Sequence, residues 1–287
     1  MRLTRDAIVA RIDAHPLGDA PAEMRTAFAA LIRGADIPLP DGAHVEMRAD
    51  GSARVTGDGS GPEIVWLHGG GYVFGGPATH LRPAAWLAAR HGASVTLPAY
   101  PLAPEARWPA QRDAALAAVP DGPVPILAGD SAGGHLALVA ALALGRQGRP
   151  PPALMLFSPN TDRSGLSTTR RVNEATDPMV DDAGDRRLAR LCFGDMAADH
   201  PEVSPVLDDL SLLPRTHVEV GAEEVLLGDA RAFHDRARAA GATVTLHEEP
   251  GLLHMGQLWA PAWQAACASL DRAMAAVATQ GPPSRSG

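Results

Sequence analysis

Val124-Pro125-Ile126-Leu127-Ala128-Gly129-Asp130-Ser131-Ala132-Gly133-Gly134-His135-Leu136 joins an apolar run to a helical one through a serine flanked by glycines. Val124–Ala128 is a short apolar run of strand length, and Ala132–Arg146 reads as a helix. Between them lies a G-x-S-x-G. A serine there is held on a sharp strand-to-helix turn. The flanking glycines let neighbouring chain approach without a Cβ in the way. The helix begins directly after Ser131, which puts a positive dipole end and the free Ala132 N–H beside the hydroxyl. An ordinary N-cap serine is the plainer alternative. The strand–turn–helix setting favours a nucleophile.

Upstream, His68-Gly69-Gly70-Gly71-Tyr72 follows the apolar run Glu63–Leu67. Acyl transfer puts negative charge on a former carbonyl oxygen, which needs N–H donors already aimed at it. A run of glycines lets the backbone turn its N–H groups inward. Gly70 and Gly71, with Ala132, are the candidate donors. His68 and Gly69 are expected to support the loop, with His68 hydrogen-bonded inside it. A flexible turn is the competing reading, and the serine motif about sixty residues downstream counts against it.

Working outward, the chain repeats one beat of apolar strand and helix. Strands are expected at Glu63–Leu67, Ala93–Leu97, Val124–Ala128, Ala153–Phe157, Thr216–Val220 and Thr243–His247. Helices fall around Thr79–Arg90, Trp108–Ala118, Ala132–Arg146, Asp229–Ala240 and Pro261–Ala278. That alternation predicts a mostly parallel central sheet flanked by helices, an α/β fold. Short strands at His44–Met47 and Ala53–Thr56 precede it. Gly57-Asp58-Gly59 comes before a strand rather than after one, so it reads as a loop and not a dinucleotide fingerprint.

Two segments break the beat. Residues 1–40 carry amphipathic helical patterning, with Ile8, Ile12, Met24, Phe28, Leu31 and Ile32 as the apolar positions. Residues 160–213 form a long insertion rich in Asp, Arg and Pro. Insertions of that length usually carry function. The expected organisation is an N-terminal cap segment (1–40) and a catalytic domain (41–280) with a cap insertion around 160–213. A flexible tail (281–287) follows.

Composition narrows the function classes. The 287 residues are 46% hydrophobic and 20% charged, enough for a large core and unlike a disordered chain. A formal net charge of −8 disfavours nucleic acid as a partner. The longest apolar run, 136–144, is too short for membrane insertion. The first residues lack the continuous apolar core of a signal peptide, so a cytoplasmic location is expected. Cys192 and Cys267 have no metal-ligand spacing and read as reduced, buried thiols. Asp195, Asp199 and His200 match no standard metal site, and no metal or cofactor is expected.

A serine nucleophile needs a base and an acid. In a fold of this kind they follow the serine in the order acid, then His. His254 lies in Leu252-Leu253-His254-Met255-Gly256, just past the last expected strand. His247 is on that strand and would point along its side chains into or away from the sheet. The acid belongs in the loop after Thr216–Val220, where both Glu223 and Glu224 stand.

These motifs together closely resemble those of the hormone-sensitive-lipase-like family of bacterial esterases. The shared pieces are His68–Tyr72, Gly129–Gly134, Tyr100-Pro101-Leu102-Ala103-Pro104-Glu105, Asp177-Pro178-Met179 and His254. The resemblance runs from about residue 60 to 260. It implies an α/β-hydrolase fold with a helical cap and a serine carboxylesterase that acts on small to medium acyl esters, lactones included. It also supplies a register for the acid: Gly221, Glu224, Leu226 and Asp229 fit the family spacing, which selects Glu224 over Glu223. Tyr100 and Glu105 correspond to structural braces, and Asp177 to a position that fixes cap geometry. The family usually has Arg where Pro101 stands, so support of the glycine loop is expected to differ here.

The implied partner is a small-molecule ester, and a homodimer is compatible with the resemblance. The same constellation would serve an amide hydrolase such as a deacetylase. A non-catalytic binding module of this fold is disfavoured by the presence of His254.

Overall fold

The computed structural model describes residues 2–278; the expected tail, 281–287, lies outside the described residues. Two helices open the chain, α1 (Arg5–Asp13) and α2 (Pro21–Arg33). Their predicted apolar positions, Ile8, Ile12, Met24, Phe28, Leu31 and Ile32, are all buried. Thr4 caps α1 by accepting the Ala7 N–H, and Pro21 starts α2 at the position where a missing N–H costs nothing.

The sheet has eight strands: β1 (His44–Met47), β2 (Ala53–Thr56), β3 (Glu63–Leu67), β4 (Ser94–Leu97), β5 (Ile126–Asp130), β6 (Ala153–Phe157), β7 (Arg215–Gly221) and β8 (Val244–Glu249). Their order is β1-β2-β4-β3-β5-β6-β7-β8. The strands from β4 to β8 in that order pair in parallel, whereas β2 pairs antiparallel with both β1 and β4. Among the described residues six further α-helices complete the fold: α3 (Leu81–His91), α4 (Ala110–Ala117), α5 (Ala132–Arg146), α6 (Asp182–Phe193), α7 (Leu227–Ala239) and α8 (Gln264–Val277).

Alternation along the strands builds two cores. Ile64 and Trp66 of β3 face the layer of α3, α8 and the N-terminal helices. Val65 and Leu67 face the layer of α4, α5 and α7. Burial on both faces is why these strands read as continuous apolar runs.

Two strands lie later than expected: β8 spans Val244–Glu249 rather than Thr243–His247, and β5 is displaced further. β5 runs from Ile126 to Asp130, two residues later than the Val124–Ala128 read from the sequence. Gly129 and Asp130 look like turn residues, yet they pair with Leu156 and Phe157 of β6. Asp130 is tolerated there because its carboxylate accepts hydrogen bonds from Trp66 Nε1 at 2.8 Å and Gly69 N at 3.2 Å, and faces His80 Nε2 at 3.1 Å. The strand therefore runs straight into Ser131.

The insertion contains one long helix, α6. Its turns are gathered around Arg170, whose guanidinium reaches Asp229 at 2.7 Å, Asp185 at 2.8 Å and the Asp162 carbonyl at 2.7 Å. All four residues are buried. A planar fork of donors suits that role, because buried carboxylates are costly unless paired. Cys192 and Cys267 are free and buried. Among the described residues no helix is long and apolar enough to cross a membrane.

Candidate active site

In parallel α/β sheets, sites form beyond the carboxyl ends of the strands, where the strand order reverses. Here β3 lies between β4 and β5, and that reversal places two loops side by side. His68–Tyr72 leaves the end of β3, and Ser131 leaves the end of β5. Glu224 follows β7, and His254 follows β8. Four sequence-distant motifs thus converge at one edge of the sheet.

Ser131 has φ 54° and ψ −122°, a conformation rare for a residue with a side chain. The turn is locked by close packing: a Cβ on Gly133 would lie 2.1 Å from the Leu67 carbonyl oxygen. Among the described residues five non-glycines have positive φ, and four of them, Tyr72, Ser131, Ser158 and Met255, adjoin the groups described here. Backbone strain of this kind persists only where surrounding structure imposes it.

A continuous hydrogen-bond chain links the three candidate side chains. His254 Nε2 lies 2.9 Å from Ser131 Oγ, and His254 Nδ1 lies 2.8 Å from Glu224 Oε2. A carboxylate only accepts, so Nδ1 carries the proton and Nε2 is left as the acceptor for the serine O–H. Glu224 is fixed through its other oxygen, which accepts from Ser158 Oγ at 2.8 Å and Gly221 N at 2.6 Å. Ser131, Glu224 and His254 are all buried. Burial alone pulls the imidazole toward neutrality. The Glu224 hydrogen bond and charge, aided by Asp177 and Asp130, outweigh it and raise His254 above the ordinary histidine value.

Glu223, the competing acid, points elsewhere. Its carboxylate pairs with Arg5 of α1 at 2.9 Å on the surface. His247 pairs with Glu249 on β8 and is not part of the chain of hydrogen bonds to Ser131.

The amides of Gly70, Gly71 and Ala132 donate no hydrogen bond to another group among the described residues. The loop that presents two of them is held from several sides. Gly70 O accepts from both Val73 N and Phe74 N at 2.9 Å, and Tyr100 Oη donates to His68 O at 2.6 Å. The His68 ring stacks on Tyr100 with centroids 4.0 Å apart, and its Nδ1–H donates to Gly69 O at 2.9 Å. Burial, then the neighbouring His80, pushes His68 down to about 3, so it is neutral near pH 7. It supports the loop without adding charge.

Ser131 and His254 open onto a cavity of about 450 Å³. The N-terminal segment contributes Ile12, Leu17, Met24 and Leu31 to its wall. The insertion contributes Met179 and Leu188, and the loops after β3, β7 and β8 add Phe74, Leu226 and Met255. Asp177 anchors the insertion beside Glu224: it accepts from Met179 N and Val180 N, and from Val225 N at 2.9 Å. These lining residues were not legible in the sequence, since apolar positions on the cap look like any core residue. Ser158 carried no motif at all.

A family model described as the alpha/beta hydrolase fold matches residues 64–258. An acetyl-hydrolase of Streptomyces hygroscopicus is 36% identical over 210 residues, 70% of each chain. An esterase of Acinetobacter venetianus is 32% identical over 250 residues, 81% of this chain and 82% of its own. The crystal structure of an esterase from the bacterial hormone-sensitive lipase family superposes with a TM-score of 0.87 at 29% identity, covering 96% of this chain and 98% of that one.

Fold, site and relatives together define a serine carboxylesterase of the α/β-hydrolase fold. Within that class, the chain belongs to the hormone-sensitive-lipase family of bacterial esterases.

Proposed function

We propose that the chain hydrolyses small to medium acyl esters, lactones included, with Ser131 as nucleophile, His254 as general base and Glu224 as the orienting acid. The observation that carries this reading is the unbroken chain Ser131–His254–Glu224, with 2.9 Å and 2.8 Å links, at the floor of a largely apolar cavity. In the first step Ser131 Oγ attacks the ester carbonyl carbon while His254 Nε2 takes its proton. The amides of Gly70, Gly71 and Ala132 receive the oxyanion. His254 then gives the proton to the departing alcohol. Water repeats the sequence on the acyl-enzyme and releases the acid. Side chains of this protein carry every proton, so the mechanism calls for no metal or organic cofactor.

The helices of residues 1–40 and the insertion of 160–213 act as a cap that shapes the acyl site. The cavity is of the size that encloses small molecules rather than polymers. The relative named acetyl-hydrolase agrees with a short acyl group. A side-by-side assay of p-nitrophenyl acetate, butyrate and octanoate against an acyl anilide tests the proposal. Turnover of the shorter esters, with the anilide much slower, is expected. Preferential cleavage of the anilide would move the assignment to amide hydrolysis.

A further inference from the structure

Arg25 sits on α2, in the N-terminal segment, remote in sequence from the candidate catalytic motifs. Its guanidinium reaches the loop that carries Gly70 and Gly71. Nε donates to the Val73 carbonyl at 2.9 Å, and Nη2 donates to the Ala103 carbonyl at 2.9 Å. Nη1 and Nη2 also hold Glu105 bidentately, at 2.9 and 2.6 Å. The pairing holds the Glu105 carboxyl well below the usual carboxylate range, so the grip persists across the working pH.

Two carbonyls in succession are thereby anchored. Tyr72 O accepts the Ala103 amide at 2.9 Å, and Val73 O accepts Arg25. The Val73 and Phe74 amides, which share peptide planes with the Tyr72 and Val73 carbonyls, both close the turn onto Gly70 O at 2.9 Å. Rotating the Val73 carbonyl away from Arg25 would disturb that turn and swing the Gly70 and Gly71 amides. Phe28, one turn further along α2, packs against Phe74 of the same loop with ring centroids 5.0 Å apart. Met24 and Leu31 of the same helix line the cavity. One helix therefore touches both the substrate space and the back of the oxyanion loop.

We propose that Arg25 is a positioning residue for the oxyanion hole: it clasps the Val73 and Ala103 carbonyls and so sets the direction of the Gly70 and Gly71 amides. This rests on the oxyanion-hole reading proposed above. Arg25 touches neither substrate nor the reacting atoms; it acts through the loop. A planar fork of donors is needed, because a lysine ammonium cannot span two carbonyls and a carboxylate in one plane. Donors in the hole must sit about 2.7–3.1 Å from the developing oxyanion, so a tilt of the loop weakens the transition state more than the ground state.

The test uses the full chain with Arg25→Ala and Arg25→Lys, and Arg5→Gln as a control that loosens the N-terminal segment elsewhere. Loss of one oxyanion donor costs about 10²–10³ in kcat, and a displaced donor should cost less, on the order of 10–10². The expected result for Arg25→Ala is a fall of that order in kcat with KM nearly unchanged. A trifluoromethyl ketone, which forms a tetrahedral adduct, should lose affinity by a similar factor. Arg25→Lys should fall between wild type and Arg25→Ala, added guanidinium should partly restore Arg25→Ala, and Arg5→Gln should match wild type. If Arg25→Ala does not fold, Arg25→Lys decides: wild-type kcat and ketone affinity overturn the proposal. So does a folded Arg25→Ala with unchanged kcat, or with its whole defect in KM. Failure of the wild type itself to bind the ketone would overturn the oxyanion-hole reading, and the inference with it.

Discussion

Replacing Glu224 by Gln changes one atom and tests why the acid is there. The amide can sit in two ways. In the first, its oxygen keeps the position that accepts from Ser158 Oγ at 2.8 Å and Gly221 N at 2.6 Å. The NH₂ then faces His254 Nδ1, which must become an acceptor. The imidazole proton moves to Nε2, facing Ser131, and the base can no longer take the serine proton. In the second, the oxygen faces His254 and the NH₂ faces the Gly221 N–H. Ser158 can turn its hydroxyl to accept, but the backbone donor cannot, and a buried unsatisfied donor costs about 1–3 kcal/mol. That penalty alone keeps the competent form a minority, by roughly 5- to 150-fold. Losing the carboxylate charge weakens the hydrogen bond to the imidazolium by a further ~1–2 kcal/mol. The sum is a loss in kcat on the order of 10²–10⁴, the upper end matching the acid-to-amide exchange in serine-protease triads. Glu223→Gln removes a surface pair with Arg5, worth about 0–1 kcal/mol, and should leave kcat within roughly threefold. The assay is kcat on p-nitrophenyl butyrate for both variants, with circular dichroism to confirm folding. A crippled Glu223→Gln would make Glu223 the acid, and a folded Glu224→Gln with near-normal turnover would show that His254 needs no carboxylate there.

The pH profile gives a second check. His254 must be neutral to act as base, and its environment holds it above the ordinary value of 6.5. A raised pKa keeps the proton on at higher pH, so the acid limb of kcat/KM should inflect above 6.5, and activity should be lost as pH falls through it. In Glu224→Gln two of the raising causes vanish while burial remains, so the limb should move to lower pH; an unmoved limb would assign it to another group. Gly70 has φ +119°, and a Cβ there would lie 2.1 Å from the Phe74 carbonyl oxygen. Gly70→Ala should therefore displace the loop and lower kcat by about 10²–10³. Gly76→Ala, with open space around it, should not, and equal kcat in the two variants would show that the loop tolerates the shift.

Much of the architecture was legible because both faces of the sheet are buried. Strands such as Glu63–Leu67, apolar from Ile64 onward, and Ala153–Phe157, apolar throughout, occupy the expected positions. β5 lies two residues beyond the range its sequence suggests, since a strand that ends in Gly-Asp looks like a turn unless the partners of Asp130 are known. Ser131 and His254 stood out because each has an unusual local setting. Glu224 emerged only through the resemblance, as spacing alone left Glu223 open. The cavity was not legible. Its walls combine Ile12, Met24 and Leu31 with Met179 and Leu188, which lie more than a hundred residues apart and obey ordinary helical patterning. Arg25 was hidden for a related reason: a charged residue on an amphipathic helix reads as solvated, and only the fold shows the carbonyls it meets.

The proposed mechanism turns on Ser131 forming the covalent acyl-enzyme. Reaction with a fluorophosphonate, followed by peptide mass spectrometry, tests it most directly. A single adduct on Ser131 in the wild type is predicted, with Ser131→Ala folded, unlabelled and reduced to the residual rate of about 10³–10⁴ over water that binding and the oxyanion hole alone can sustain. Labelling at another serine, or near-wild-type ester turnover by Ser131→Ala, would contradict it.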